Sequence, residues 1–271
     1  MGPLLTLKIL EQLRAAVSGG ATTVECSLDL QRSKTSVEVG LAGWIWKEQL
    51  FPYPDSCKDR TIYHWDGLTF QPVARYSTSL IKLVPTDWGP PTFEIDGIKM
   101  LPTARISPYE DAERKVSLID PSRKSILDTC GGLGYFAAWC MQGRASKVLS
   151  YEKNPDVIWL RSLNPWSPKI DSGVTLTQGD IAEEIVKLPS QSVDAILHDP
   201  PRFGIAGELY SQNFYEHLAR VLKRKGKLFH YTGAPNRLTS HREVTQEVRN
   251  RLRRVGFEAR THGDGILATK R

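Results

Sequence analysis

The run Ser125-Ile126-Leu127-Asp128-Thr129-Cys130-Gly131-Gly132-Leu133-Gly134 carries an apolar strand straight into a glycine-rich turn, and a helical pattern follows from Tyr135 to Met141. Glycine lacks a Cβ and tolerates positive φ, so such a turn lets the backbone approach a ligand closely. The helix start behind it offers unpaired N–H groups. Three acids stand at the ends of the strands that follow: Glu152, Asp180 after Gly179, and Asp199 within His198-Asp199-Pro200-Pro201. Glu152 is placed to accept both ribose hydroxyl protons of a bound nucleoside, and Asp180 to meet its base. Singly, each acid is equally a helix cap or an exposed strand end. Together their spacing points to a nucleoside-type ligand in a crevice at the carboxyl edge of a sheet.

Those residues need a framework, and the chain supplies one from about residue 105. Strands are expected at Ser125–Asp128, Lys147–Tyr151, Val174–Gln178, Val193–His198, Lys227–Tyr231, Phe257–Thr261 and Gly265–Thr269. Helices are expected at Tyr135–Gln142, Pro155–Leu163, Ile181–Lys187, Ser211–Leu222 and Arg242–Val255. Strands separated by helices imply a parallel, doubly wound sheet. The last two strands are joined only by the turn at Gly263-Asp264, so they must pair antiparallel. The expectation is an α/β domain over 105–271, with a seven-stranded sheet closed by an antiparallel hairpin.

Residues 1–104 read differently. Period-two alternation over Thr22–Leu30 and Lys34–Val39 predicts a hairpin, and further short strands are expected near Thr61–Tyr63, Gln71–Ala74 and Leu80–Val84. Residues 4–17 fit a short amphipathic helix. Trp44, Trp46, Trp65 and Trp88 fall in this part, more as sheet packing than as a substrate lid. A small β-rich N-terminal domain is therefore expected.

Composition narrows the function classes. No run reaches the roughly 18–20 apolar residues of a membrane span, and the N-terminus lacks a basic, then apolar, leader pattern. Cys26, Cys57, Cys130 and Cys140 form no zinc-like cluster, so no metal is expected, and thiols of a reducing cytoplasm are the simplest reading. The net charge of +6 is concentrated late, in Lys223–Lys227 and in Arg249, Arg251, Arg253, Arg254 and Arg260. That is either a nucleic-acid footprint or a solvated helix face; without interleaved aromatics the second is preferred.

The series Asp128-x-Cys130-x-Gly132-x-Gly134, Glu152, Gly179-Asp180 and Asp199-Pro200-Pro201 resembles the motifs of the class I S-adenosylmethionine (SAM)-dependent methyltransferases, with Cys130 where that family usually has glycine. The stretch His198–Tyr215, with Arg220–Lys223, Leu228–Gly233 and Arg251–Phe257, is similar to a mainly archaeal methyltransferase family of unassigned substrate, laid out like the spermidine synthases. The resemblance implies a Rossmann-like fold and SAM as cofactor. It implies cofactor contacts at Asp128, Cys130, Gly132, Gly134, Glu152, Lys153, Gly179, Asp180, Ile181 and Asp199. Tyr109-Glu110 lies where spermidine-synthase-like enzymes hold the cofactor tail, and is equally a helix start.

The resemblance further implies direct methyl transfer to a small or medium-sized acceptor. Asp199 is the first candidate for base or orienting acceptor. His198 is the second, and is as readily a packed histidine, because neighbouring strand residues face opposite ways. Arg202, Phe203, Tyr210 and Tyr231 are candidates for the acceptor pocket. An alternative reaction attacks the amino-acid side of the sulfonium, transferring or cyclising that group and releasing methylthioadenosine. Against aminopropyl transfer, the turn lacks the Asp of the spermidine-synthase Gly-Gly-Gly-Asp-Gly-Gly pattern, and Pro200–Phe203 lacks their second Asp. A third reading is an RNA-binding methyltransferase. A small-molecule substrate and no membrane complete the expectations, with either a monomer or a homodimer open.

Overall fold

A computed structural model describes residues 2–169, 173–233 and 244–271. They form two compact units, Met1–Glu110 with Trp159–Trp166, and Asp111–Ile158 with Ser167–Arg271.

The first unit opens with β1 (Leu4–Leu5) and α1 (Leu7–Ser18), whose N-cap Thr6 accepts the Ile9 N–H. The strands β2 (Thr23–Cys26), β3 (Thr35–Gly40), β4 (Gly43–Trp46) and β5 (Gln49–Phe51) make one antiparallel sheet in sequence order. A second sheet runs β1, β6 (Tyr63–Trp65), β7 (Phe70–Pro72), and a third joins β8 (Ala74–Tyr76), β9 (Leu80–Val84), β10 (Thr92–Ile95) and β11 (Ile98–Lys99). Aromatic packing holds the core: Trp44 and Phe51 face each other across β4 and β5 with ring centroids 4.6 Å apart, and Trp65 meets Phe51 edge-on at 5.3 Å. Offset and edge-on aromatic pairs are favourable beyond their area alone.

Three expectations shift here. The strand expected through Leu30 ends at Cys26, because Ser27 and Asp29 turn the chain by accepting the N–H groups of Gln31 and Ser33. Leu30 and Gln31 accordingly take positive φ. The segment Gln71–Ala74 divides at Val73 into β7 and β8, and the preceding strand lies two residues later than expected, at Tyr63–Trp65. Of the tryptophans, Trp44 is fully buried while Trp88 is 44% exposed.

The second unit is built on β12 (Ser125–Asp128), β13 (Lys147–Glu152), β14 (Val174–Gln178), β15 (Val193–His198), β16 (Leu222–Tyr231), β17 (Phe257–His262) and β18 (Gly265–Lys270). Their order is β14-β13-β12-β15-β16-β18-β17, parallel through β16, with β18 antiparallel to both of its neighbours. This is the expected mostly parallel, doubly wound sheet with a terminal antiparallel hairpin. The helices are α2 (Pro108–Ile119), α3 (Tyr135–Gln142), α4 (Pro155–Leu163), α5 (Ile181–Lys187), α6 (Gln212–Val221) and α7 (Val244–Arg254), of which α2 and α4 cross the unit boundary. The start of the helix expected from Arg242 lies outside the described residues.

The basic run Lys223–Lys227 belongs to β16 itself. The register of β15 with β16 jumps from Val193↔Leu222 to Ala195↔Lys227, and Lys225 takes φ 61° within the bulge. Lys223 pairs with Asp194 at 2.7 Å there, so one of these cations is spent on the sheet.

Candidate active site

The strand order reverses at β12, which lies between β13 and β15. Ligands of such sheets bind in the crevice that this reversal opens at the carboxyl ends. Asp128 closes β12, is buried, and accepts a hydrogen bond from Ser150 Oγ of the adjacent strand at 2.8 Å. Beyond it the chain turns through Gly132 (φ 48°) and Gly134 (φ 81°), the latter standing as the N-cap of α3 without a side-chain cap. Residues with a Cβ avoid that left-handed region, which is why glycine recurs here. The turn is fastened to β13 twice: the Gly131 N–H donates to Tyr151 O at 2.7 Å, and the Gly132 N–H donates to Glu152 Oε2 at 2.9 Å. The other Glu152 oxygen accepts the Asn154 N–H at 2.9 Å.

Cys130 sits half-buried in the same turn, its thiol pushed up by burial and by the Glu152 carboxylate. Gly179 follows β14, and Asp180 caps α5 by accepting the Ala182 N–H at 2.9 Å. Its second oxygen meets Lys153 Nζ at 2.5 Å. Burial alone would raise the Asp180 carboxyl, but Lys153 and the cap bond hold it below the usual range. Ile181, next in sequence, is a buried member of α5.

Asp199, the residue after β15, retains about 21% side-chain exposure. Its carboxyl is raised by burial, against the opposing pull of Lys115. Lys115 of α2 is 5% exposed and lies 2.8 Å from Asp111 Oδ2, 3.6 Å from Asp199 Oδ2 and 4.1 Å from the centre of the Tyr231 ring. Burial would lower the Lys115 ammonium, but Asp199, Asp111 and Asp264 raise it, so it stays charged. Neither Lys115 nor Asp111 was singled out in the sequence. Their i,i+4 spacing on one helical face was the only available signal.

Both ring nitrogens of His198 are engaged. Nε2 faces the carbonyl of Leu209 at 3.1 Å and must donate to it, which leaves Nδ1 to accept the Thr129 hydroxyl proton at 2.7 Å. The residue is fully buried and burial pushes its imidazole down to about 4, so it is neutral. His230, its neighbour at 4.3 Å between ring centroids, likewise bonds the Tyr215 hydroxyl and the Tyr231 carbonyl.

The remaining sequence candidates are spread along the segment after Asp199. Arg202 is exposed. Phe203 and the buried Tyr210 meet edge-on at 5.5 Å, and the Tyr210 hydroxyl donates to Pro201 O at 3.1 Å, tying the segment down. Tyr109 and Glu110 fall in the first unit, where the Tyr109 ring packs on Trp166 at 5.2 Å. Arg251 of the basic α7 donates to Tyr210 O, and Arg253 to Ala259 O, so two of its arginines serve the fold. Among the described residues no cluster of His, Cys, Asp or Glu is suited to a metal, and no helix is long and apolar enough to cross a membrane.

A glycine turn bridged to a strand-end glutamate, with acids closing the neighbouring strands of a sheet whose order reverses between them, defines a Rossmann-like α/β domain. By sequence, residues 167–263 match a family described as S-adenosyl-L-methionine-dependent methyltransferase. An uncharacterized protein of Methanocaldococcus jannaschii is 41% identical over 194 residues, which is 71% of this chain and 66%, just under two thirds, of the relative. Among solved structures, a spermidine synthase in complex with the transition-state analogue AdoDATO aligns with a TM-score of 0.59 at 18% identity, over 73% of this chain and 72% of that one. The spermidine synthase from Thermotoga maritima aligns with a TM-score of 0.56 at 19% identity, over 73% and 71%. These structures share the fold.

Proposed function

We propose that the chain binds SAM at the carboxyl edge of its large sheet and transfers the methyl group to a small or medium-sized acceptor. The observation that carries this reading is the Glu152 carboxylate, held across the glycine turn by the Gly132 and Asn154 N–H groups. These bonds fix the direction of the carboxylate at the strand end, and a carboxylate is an acceptor of hydroxyl protons. An acid held in that place suits the ribose hydroxyls of a nucleoside. In this reading the Gly132–Gly134 backbone lies along the cofactor, Asp180 with Lys153 and Ile181 borders the adenine, and Asp128 supports the turn from beneath through Ser150.

SAM, when bound, supplies a methyl carbon on a positively charged sulfur, open to attack by a lone pair with the sulfide as leaving group. The protein's task is to align the nucleophile and exclude water. Alignment is worth up to about 7–11 kcal/mol, against the roughly 10²–10⁴-fold of a general base. Asp199 is assigned as the group that orients the acceptor and takes its proton. Its raised affinity for a proton suits that role. His198, with neither nitrogen free, is assigned a positioning role: it ties Thr129 at the glycine turn to Leu209 behind the acceptor segment. Phe203, Tyr210, Tyr231 and Arg202 are assigned to the acceptor side.

Incubation of the purified protein with SAM, alone and with a small-molecule extract, followed by mass spectrometry of the nucleoside product, tests the reaction. S-adenosylhomocysteine formed only with extract supports methyl transfer. Methylthioadenosine would overturn it in favour of attack on the amino-acid side, and an RNA requirement would redirect the acceptor class.

A further inference from the structure

The proposed acceptor side contains a recognition device whose occupant comes from the protein itself. Two carboxylates and an aromatic face are the groups that bind an alkylammonium ion, through charge-assisted hydrogen bonds and cation–π attraction. Asp111, Asp199 and Tyr231 present that set, and Lys115 Nζ fills it at 2.8, 3.6 and 4.1 Å, with the Phe136 ring at 5.8 Å on another side. Lys115 arrives from α2, Asp199 from the end of β15, Tyr231 from the end of β16, and Asp264 from the turn between β17 and β18 adds a further negative charge nearby. The lysine is 5% exposed. An ammonium buried that deeply is tolerated only because it is paired.

We infer that Lys115 is a specificity-determining residue: its ammonium is a built-in cation that occupies the amine place beside Asp199 and thereby turns cationic amines away from the acceptor pocket. A second cation would find its carboxylates already engaged and would meet repulsion from Lys115 within a few ångströms. The acceptor group that approaches Asp199 is therefore neutral or anionic. This inference rests on the reading of Asp199 as the acceptor-facing residue.

The Lys115→Ala change removes three carbons and the ammonium nitrogen, which n-propylammonium replaces atom for atom. The test is calorimetric titration of n-propylammonium into wild type, Lys115→Ala and Lys115→Ala/Asp199→Asn, with SAM titrated into the same samples. The inference expects Lys115→Ala to bind the amine at least about tenfold more tightly than wild type, a difference of about 1.4 kcal/mol. The double variant should lose that gain. Asp111→Asn/Lys115→Ala, with one fewer uncompensated charge, serves as the variant more tolerant of folding. Equal amine binding by wild type would overturn the inference. So would absence of a gain in both folded Lys115 variants, or failure of both to fold even with the amine present. SAM that fails to bind wild type would instead overturn the proposed function and leave the amine result standing.

Discussion

The Gly132 N–H donates to Glu152 Oε2 at 2.9 Å, so the glycine turn after β12 and the acid that ends β13 are one hydrogen-bonded unit. That bond ties the glycine turn and the strand-end acid to one another. Gly132 takes φ 48° in the turn, and its N–H is bonded by the side chain of the acid that ends the neighbouring strand. Preorganisation of this kind reduces the ordering cost of binding.

Asp199→Asn separates binding from chemistry. The amide keeps the size of the side chain but cannot take a proton. Turnover with a competent acceptor should fall by about 10²–10⁴-fold, while SAM affinity changes little. Steady-state kinetics alongside calorimetry check this; unchanged turnover removes Asp199 from the mechanism.

Stability should climb as pH rises from about 4 toward the ordinary histidine value of 6.5, because His198 is neutral when folded and its imidazole is pushed down to about 4. The sign follows from proton counting: in that window the unfolded chain holds more protons than the native one, so acid favours unfolding. His230 is lowered too and acts in the same direction. Each pKa unit of difference is worth about 1.4 kcal/mol, so the slope should be visible in denaturant midpoints taken across the window. His198→Phe should flatten it, and a wild-type midpoint flat between those limits contradicts the buried neutral assignment.

Gly134 takes φ 81° where α3 begins. Gly134→Ala forces a Cβ into the left-handed region, and a loss of about 1 kcal/mol in unfolding free energy is expected. SAM affinity should fall with it, because the turn is part of the proposed cradle. Urea denaturation and SAM titration of the variant measure the two effects separately.

In the first unit, Trp44 is fully buried against Phe51 and Phe70. Trp44→Ala should cost about 3–5 kcal/mol as the stack collapses around a cavity. Thermal unfolding followed by near-ultraviolet circular dichroism reports it.

Much of the second unit was legible because its elements are long and strongly patterned. The strand-to-helix alternation from Ser125 gives the sheet, and the Gly263-Asp264 turn gives its antiparallel end. The first unit was less legible: its strands are two to six residues long, and side-chain turns such as Asp29 with Ser33 end them where alternation continues. At the candidate site, motif spacing singled out Glu152, Asp180 and Asp199, each of which stands at a strand end. Asp111 and Lys115 were legible only as an i,i+4 pair, and their meeting with Asp199 and Asp264 was not, because the fold brings these together from α2, the end of β15 and the terminal hairpin, far apart in sequence. His198 was legible only as an alternative between packing and chemistry, which its two engaged nitrogens address.

The most direct test of the central claim is a calorimetric titration of SAM into wild type, Glu152→Gln and Glu152→Ala. The account predicts binding by wild type and a loss of at least about 2 kcal/mol in Glu152→Ala, the scale of hydrogen bonds to a charged group. Glu152→Gln should lie between. Wild-type affinity retained by a folded Glu152→Ala protein would contradict the placement of the nucleoside at the end of β13.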